Sequence, residues 1–319
     1  MSAASVRAWQ DAYDACEHAT FFHGPLWSEI WSSYSNGRFQ PAPLRVDFTD
    51  GSTAIVGITK ERTRLGVERH HLSPAGCYGG WVSAQRLTDG HRSAIARYLM
   101  EGHSVAWRAS PVDAEVARRQ SGVSDDFTHE IDLSDGGAAA HARWHTSARN
   151  KVRRAQRAGA KVREAGSWAD WKAYDALYRE SLCRWGHEAS VVYGSSLFEM
   201  LGRVDSPEVR LWLAEVDGAP CAGAVVVAHR TRASYWHGAS TPARCPGSSY
   251  LLQWELCEAL ATGGIETYDL NPSGGHAGVA FFKSRLGADL QPAPFVRRRH
   301  WLEPIAETLR PLLSIGGAA

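Results

Sequence analysis

Trp144, Ala148, Val152 and Ala155 stand at i, i+4, i+8 and i+11, the spacing of a single apolar helix stripe, and Gly159 follows where such a helix would stop. From there the pattern changes period several times. Residues 160–165 alternate as a strand. Residues 167–186 return to helical spacing, with Ser167 as cap and Trp171, Tyr178, Leu182 and Trp185 as the inward stripe. Residues 210–230 form two apolar runs about Asp217-Gly218, the signature of a tight hairpin, and 233–240 make a third strand. A helix over 248–264, a strand over 265–271, a helix over 277–287, a strand over 294–302 and a helix over 301–314 complete this half.

The first half follows a vaguer version of the same plan. A helix over 24–37 closes at Gly37. Strands are expected at 43–48, 53–60, 65–72 and 104–110, a helix at 89–102, and an alternating run over 126–134 closes the half near Ser134. Helices interleaved with strands, and three consecutive strands in the second half, predict an α/β protein with mixed sheets. The expected division is a domain over 1–140, a catalytic domain over 141–296, and a segment 297–319 returning to the first.

Composition narrows the class. At 319 residues, with 44% hydrophobic and 22% charged, the chain suits a globular protein of two ordinary domains. No run of 18 apolar residues and no basic-then-apolar leader appears, so a cytoplasmic location without membrane insertion is expected. Cys16, Cys77, Cys183, Cys221, Cys245 and Cys257 include no CxxC pair, and no His, Asp or Glu cluster has metal-ligand spacing, so no metal is expected. His70-His71 opens an HHxxxD pattern that fails at Ala75.

Net charge is +1, yet residues 136–163 contain no acid and hold Arg143, Arg149, Lys151, Arg153, Arg154, Arg157, Lys161 and Arg163. Arg149, Arg153 and Arg157 share a helix face distinct from the apolar stripe. Guanidinium forks without a local counter-charge suit phosphate. Further on, Arg244-x-x-Gly247-x-Ser249 joins a strand to a helix. Small residues there would leave backbone N–H groups for an anionic oxygen, or serve only as an N-cap. Tyr235, Trp236 and His237 precede it, with alternate side chains available for an acceptor pocket or for the core.

The order of these parts, with "RNKVRRAQRAGAKV", "YDLNPSG" and "FFKSRLGADLQPAP", resembles the FemABX-like branch of the N-acyltransferase (GNAT) superfamily. The resemblance implies two tandem GNAT-like domains and transfer of an amino acid from aminoacyl-tRNA to the amine of a small-molecule or peptide acceptor. Cell-wall precursors and peptide-like natural products such as antibiotics are the acceptor settings it suggests. The helical arm of some cell-wall members is missing. Aminoacyl-tRNA would be the co-substrate, with no bound cofactor. The alternatives are an acyl-CoA-dependent N-acyltransferase, which the Arg244–Gly247 loop would serve, and a non-catalytic peptide or nucleotide binder.

The resemblance also places Phe282-Lys283 near the transferred acyl group, with Lys283 facing the tetrahedral oxyanion. Asp269, at a strand end, would relay a proton, orient Lys283 or make a structural hydrogen bond. Arg149, Arg153 and Arg157 would face donor or acceptor phosphates.

Overall fold

A computed structural model describes residues 1–62, 68–186 and 191–299. The helix expected over 301–314 lies outside the described residues, as do parts of the strands expected over 65–72 and 294–302. The described residues form two compact units, Met1–Asp126 with 292–299, and Phe127–Gln291.

The first unit holds two sheets. Ser2–Ala3, Leu44–Asp47, Thr53–Val56 and Trp81–Val82 make a four-stranded sheet in that order. Phe39–Pro41, Thr59–Arg62, Glu68–His71, Ser104–Arg108, Phe295–Arg298 and Val123–Ser124 make a six-stranded one. The late strand Phe295–Arg298 therefore lies between two strands of the N-terminal half, with Val296 opposite Trp107. Val296, Trp81 and Trp107 belong to one buried cluster, and the Trp107 indole N–H donates to Gly79 O at 2.8 Å.

The second unit is built on one seven-stranded sheet. Its strands, labelled here within this unit, are β1 (Phe127–Asp132), β2 (Lys161–Ala165), β3 (Val209–Val216), β4 (Ala219–His229), β5 (Arg232–Ser240), β6 (Thr267–Asp269) and β7 (Asp289–Pro292). Their order is β2-β3-β4-β5-β6-β1-β7. Neighbours are antiparallel from β2 to β5, parallel between β5 and β6, and antiparallel again between β6 and β1. The helices are α1 (Gly137–Ala142), α2 (Thr146–Arg157), α3 (Trp168–Trp185), α4 (Ser195–Leu201), α5 (Ser248–Thr262) and α6 (Ala277–Ser284).

Local chemistry explains most of these boundaries. Asp217 and Gly218 both have positive φ, 50° and 76°, as a two-residue hairpin turn requires. Gly159, at φ 78°, ends α2. Ser167 and Asp170 close a capping box on α3. Ala148, Val152 and Ala155 are buried with Trp144, beneath α5 and the sheet, as the stripe predicts.

Three expectations change. The run 126–134 does not close the first half: β1 enters the second sheet beside β6, Ile131 opposite Tyr268, and both side chains are buried in that unit's core. On α3 the buried line is Trp171, Tyr174, Leu177, Tyr178 and Ser181, while Leu182 and Trp185 are half-buried. Ser181 turns inward because its hydroxyl donates to Ser240 O at 3.1 Å. Helix α4 is an addition to the elements the pattern predicts; Leu197, Phe198 and Leu201 bury its one apolar side.

Candidate active site

Strands β5 and β6 run parallel for only three pairs, ending at Ser234 and Asp269. Beyond that point β5 continues to Ser240 and β6 turns away through Asn271, at φ 58°. Asn271 spans the resulting fork. Its backbone N–H donates to Asp269 Oδ1 at 2.6 Å, and its side-chain amide donates to Tyr235 O at 3.0 Å. Thr128 Oγ1 on β1 donates to the same Asp269 oxygen at 2.5 Å. Asp269 is only 3% exposed.

Lys283 comes to this place from α6. Its residue exposure is 3%, and Nζ donates to Asn271 O at 2.6 Å and Pro272 O at 3.2 Å. The fork thus carries a buried ammonium held by the segment that follows β6. Carbonyl dipoles are the compensation a charge out of water requires. Asp269 and Lys283 meet through Asn271, one from each side of that residue. Phe282 is half-buried and packs edge-on to Tyr250, with centroids 4.7 Å apart.

The structure adds residues here that periodicity does not single out. His129 is buried on β1, its carbonyl accepts from Leu270 N–H at 2.8 Å, and its Nδ1 has no hydrogen-bond partner among the described residues. Burial, and then the Lys283 charge, lower its pKa and keep it neutral. Glu130 stands opposite Asp269. Burial and the Asp269 charge raise its carboxyl to about 7, against the pull of the Arg232 guanidinium at 2.6 Å. Only a position in the sheet identifies these two, because both partners lie more than 100 residues away in sequence.

Tyr235 and His237 do not share a face. Val226 pairs with Tyr235 and Val225 with His237, so Trp236 is the extra residue of a bulge. A bulge reverses the alternation beyond it. Tyr235 packs on the core cluster that contains Val226 and Tyr250. His237 is half-buried on the side of α3 and α4, with Tyr174 OH at 2.5 Å from Nδ1 and the Tyr178, Tyr193 and Phe198 rings around it. Burial lowers His237 to about 3 and raises the Tyr235 hydroxyl to about 12.

The basic helix is as open as its sequence suggests. Arg149 is half-buried, and Arg153 and Arg157 are exposed. Their bonds are local: Arg149 to Thr146 Oγ1 at 3.5 Å, Arg153 to Asn150 Oδ1 at 3.3 Å, Arg157 to Arg153 O at 3.4 Å. Asn150, Arg153, Gln156 and Arg157 line a shallow depression. Among the described residues none of these three arginines has a carboxylate within 4 Å, whereas Arg163 is paired with Asp170 and Glu215.

Arg244 differs. Its guanidinium is already engaged, 3.3 Å from Glu180 Oε1 and donating to Pro220 O. Gly247 caps α5 at φ 96°, and a Cβ there would lie 2.4 Å from Lys151 O of α2. Its lack of a side chain lets two helices meet. Ser249 is half-buried in the first turn of α5. We expect Gly247→Ala to lower stability by about 2–4 kcal/mol, from left-handed strain plus the backbone clash. Chemical denaturation checks this, and a loss below about 0.5 kcal/mol would contradict the packing described.

Among the described residues no three His, Cys, Asp or Glu side chains gather as a metal site, and no helix is long and apolar enough to cross a membrane.

Residues 145–284 match the family model described as an acetyltransferase (GNAT) domain. No curated protein sequence matches the chain. Among solved structures, FemX superposes with a TM-score of 0.68 at 11% identity, covering 97% of this chain and 100% of that one. The C-terminal domain of a putative lysylphosphatidylglycerol synthetase from Agrobacterium fabrum gives 0.56 at 12% identity, covering 97% and 98%. A tandem GNAT protein from the clavulanic acid biosynthesis pathway gives 0.50 at 14%, covering 92% and 96%. Residues 145–284 thus match a GNAT domain model, and the mixed α/β chain has the fold of FemX and of a tandem GNAT protein.

Proposed function

We propose that the protein is an aminoacyltransferase, moving an amino acid from aminoacyl-tRNA to the amine of a small-molecule or peptide acceptor. One contrast carries the choice of donor. Arg149, Arg153 and Arg157 have no acid partner among the described residues, while Arg244, in the loop that would serve a CoA diphosphate, pairs with Glu180. Open cations on a helix favour a long polyanion. The FemX likeness supports the same reading, and a peptide or natural-product amine fits the acceptor.

In the reaction, the amine nitrogen attacks the ester carbonyl, the new C–N bond forms, and the carbonyl oxygen becomes an oxyanion. The C–O bond to the ribose then breaks, and the amine's proton ends on the ribose oxygen. Lys283 supplies positive charge at the fork, in surroundings where water screens it little. Thr128 fixes Asp269, Asp269 accepts from the Asn271 N–H, and the Asn271 carbonyl in turn holds Lys283. Asp269 is therefore a positioning residue in this scheme. Glu130, its carboxyl raised to about 7 by burial, and His129, its pKa lowered by burial, flank the fork.

The donor test is direct. With a charged tRNA pool and an amine panel, RNase should abolish product, and added acyl-CoA should not restore it. Product that survives RNase and requires a thioester would make the protein an acyl-CoA N-acyltransferase instead.

A further inference from the structure

Asp113, in the first unit, is a carboxyl with no water and no donor. It closes the turn Pro111–Asp113 and is 0% exposed. Neither of its oxygens has a hydrogen-bond partner among the described residues. Oδ2 faces Gly80, where a Cβ would lie 3.8 Å from it. The Trp107 N–H beside Gly80 is already given to Gly79 O. A carboxylate in such a place lacks the donors that a buried charge requires, whereas a neutral carboxyl carries its own proton.

The nearest cation is shared. Arg92 lies on the helix Asp89–Leu99. Its Nη2 donates to Asp89 Oδ1 at 2.5 Å, and its Nη1 donates to Val112 O at 3.1 Å. The same Nη1 is 3.5 Å from Asp113 Oδ1, near enough to attract it but not bonded to it, and the buried Nε–H is unused. One guanidinium therefore stands between an exposed acid and a buried one. The Cys16 thiol also senses Asp113, but burial raises its pKa and it brings no charge.

We infer that Asp113 and Arg92 form a proton-operated latch. With a proton on Asp113, the guanidinium stays with Asp89 and the Val112 carbonyl. Loss of that proton to solvent draws the guanidinium onto Asp113, and ties the helix Asp89–Leu99 to the turn Pro111–Asp113 by a buried ion pair instead. Burial pushes the Asp113 carboxyl up to about 6, with the Arg92 charge pulling it down and the Asp89 charge adding to the rise. The latch turns over there. The folded value lies above the ordinary 3.8, so the stability it contributes is full at low pH and is lost as pH rises through about 6.

Infrared difference spectra of the full-length protein, wild type minus Asp113→Asn, read the proton directly. A carboxylic-acid C=O band should be present at about pH 5, half gone near pH 6 and absent at about pH 8. Asp89→Asn should move the midpoint to lower pH, because it removes a like charge and releases the guanidinium. Asp89 is exposed, so this variant should fold. Chemical unfolding gives a second readout. Relative to Asp113→Asn, the unfolding constant of wild type should rise about 10-fold from about pH 5 to about pH 8. Circular dichroism verifies that both variants are folded. Should Asp113→Asn not fold, the difference between wild type and Asp89→Asn near pH 6 carries the same band. No such band at about pH 5, a band that persists at about pH 8, a midpoint that Asp89→Asn leaves in place, or a ratio of unfolding constants that does not move with pH overturns the latch.

Discussion

Lys283→Ala lowers the single-turnover rate of acyl transfer by about 10²–10³ at saturating donor, while donor binding changes little. The expectation follows from a charge 3% exposed and held at the fork by two carbonyls, where it meets the oxyanion only once that oxyanion forms. Truncation also leaves Asn271 O and Pro272 O without this donor, at a stability cost of about 1–3 kcal/mol. Lys283→Met keeps most of the volume and loses the same charge, so it should reproduce the rate loss with less cavity. Lys283→Arg should recover only part of the rate, because a planar guanidinium cannot occupy the same point. Circular dichroism and thermal unfolding confirm that each variant is folded. A folded Lys283→Met variant with the wild-type rate ends the catalytic role, and an effect on KM alone makes Lys283 a donor grip.

Binding of charged tRNA weakens steeply with salt. Arg149, Lys151, Arg153, Arg154, Arg157 and Lys161 have no acid within 4 Å among the described residues. If all six meet phosphates, a slope of about −0.7 to −0.9 per contact gives an affinity loss on the order of 10³ between about 50 and about 200 mM salt. Arg149→Ala with Arg153→Ala should flatten the log–log slope by about 1.4–1.8. Both side chains lie on the surface side of α2, away from Ala148, Val152 and Ala155, so folding should be unaffected. An unchanged slope would make α2 a solvated basic face and nothing more.

The two effects draw on features that differ in how far sequence reveals them. Periodicity locates α2, its stripe and its stop at Gly159, because these depend on residues within one or two turns. The Asp217-Gly218 hairpin is legible for the same reason. What sequence hides is non-local. That β1 belongs to the second sheet depends on Glu130 facing Asp269, 139 positions further along the chain. The bulge at Trp236, which separates Tyr235 from His237, leaves no mark on composition.

Charge misleads in the same way. The absence of acids over 136–163 leaves α2 open, yet Arg163 in that window finds Asp170 and Glu215, and Arg244 finds Glu180. Lys283 is the one charged residue of an apolar helix and also its one fully buried residue, because the carbonyls of Asn271 and Pro272 take its ammonium inward. Asn271 is prominent only once β5 and β6 are seen to part.

Mass spectrometry on the reaction mixture tests the central claim most directly. The protein is incubated with a tRNA pool charged with isotopically labelled amino acids and a panel of small and peptide amines. A new amide that carries the label, forms with wild type, and nearly disappears with folded Lys283→Met is the predicted result. No labelled amide from any charged tRNA, with an unlabelled amide formed when acyl-CoA is supplied, would contradict it.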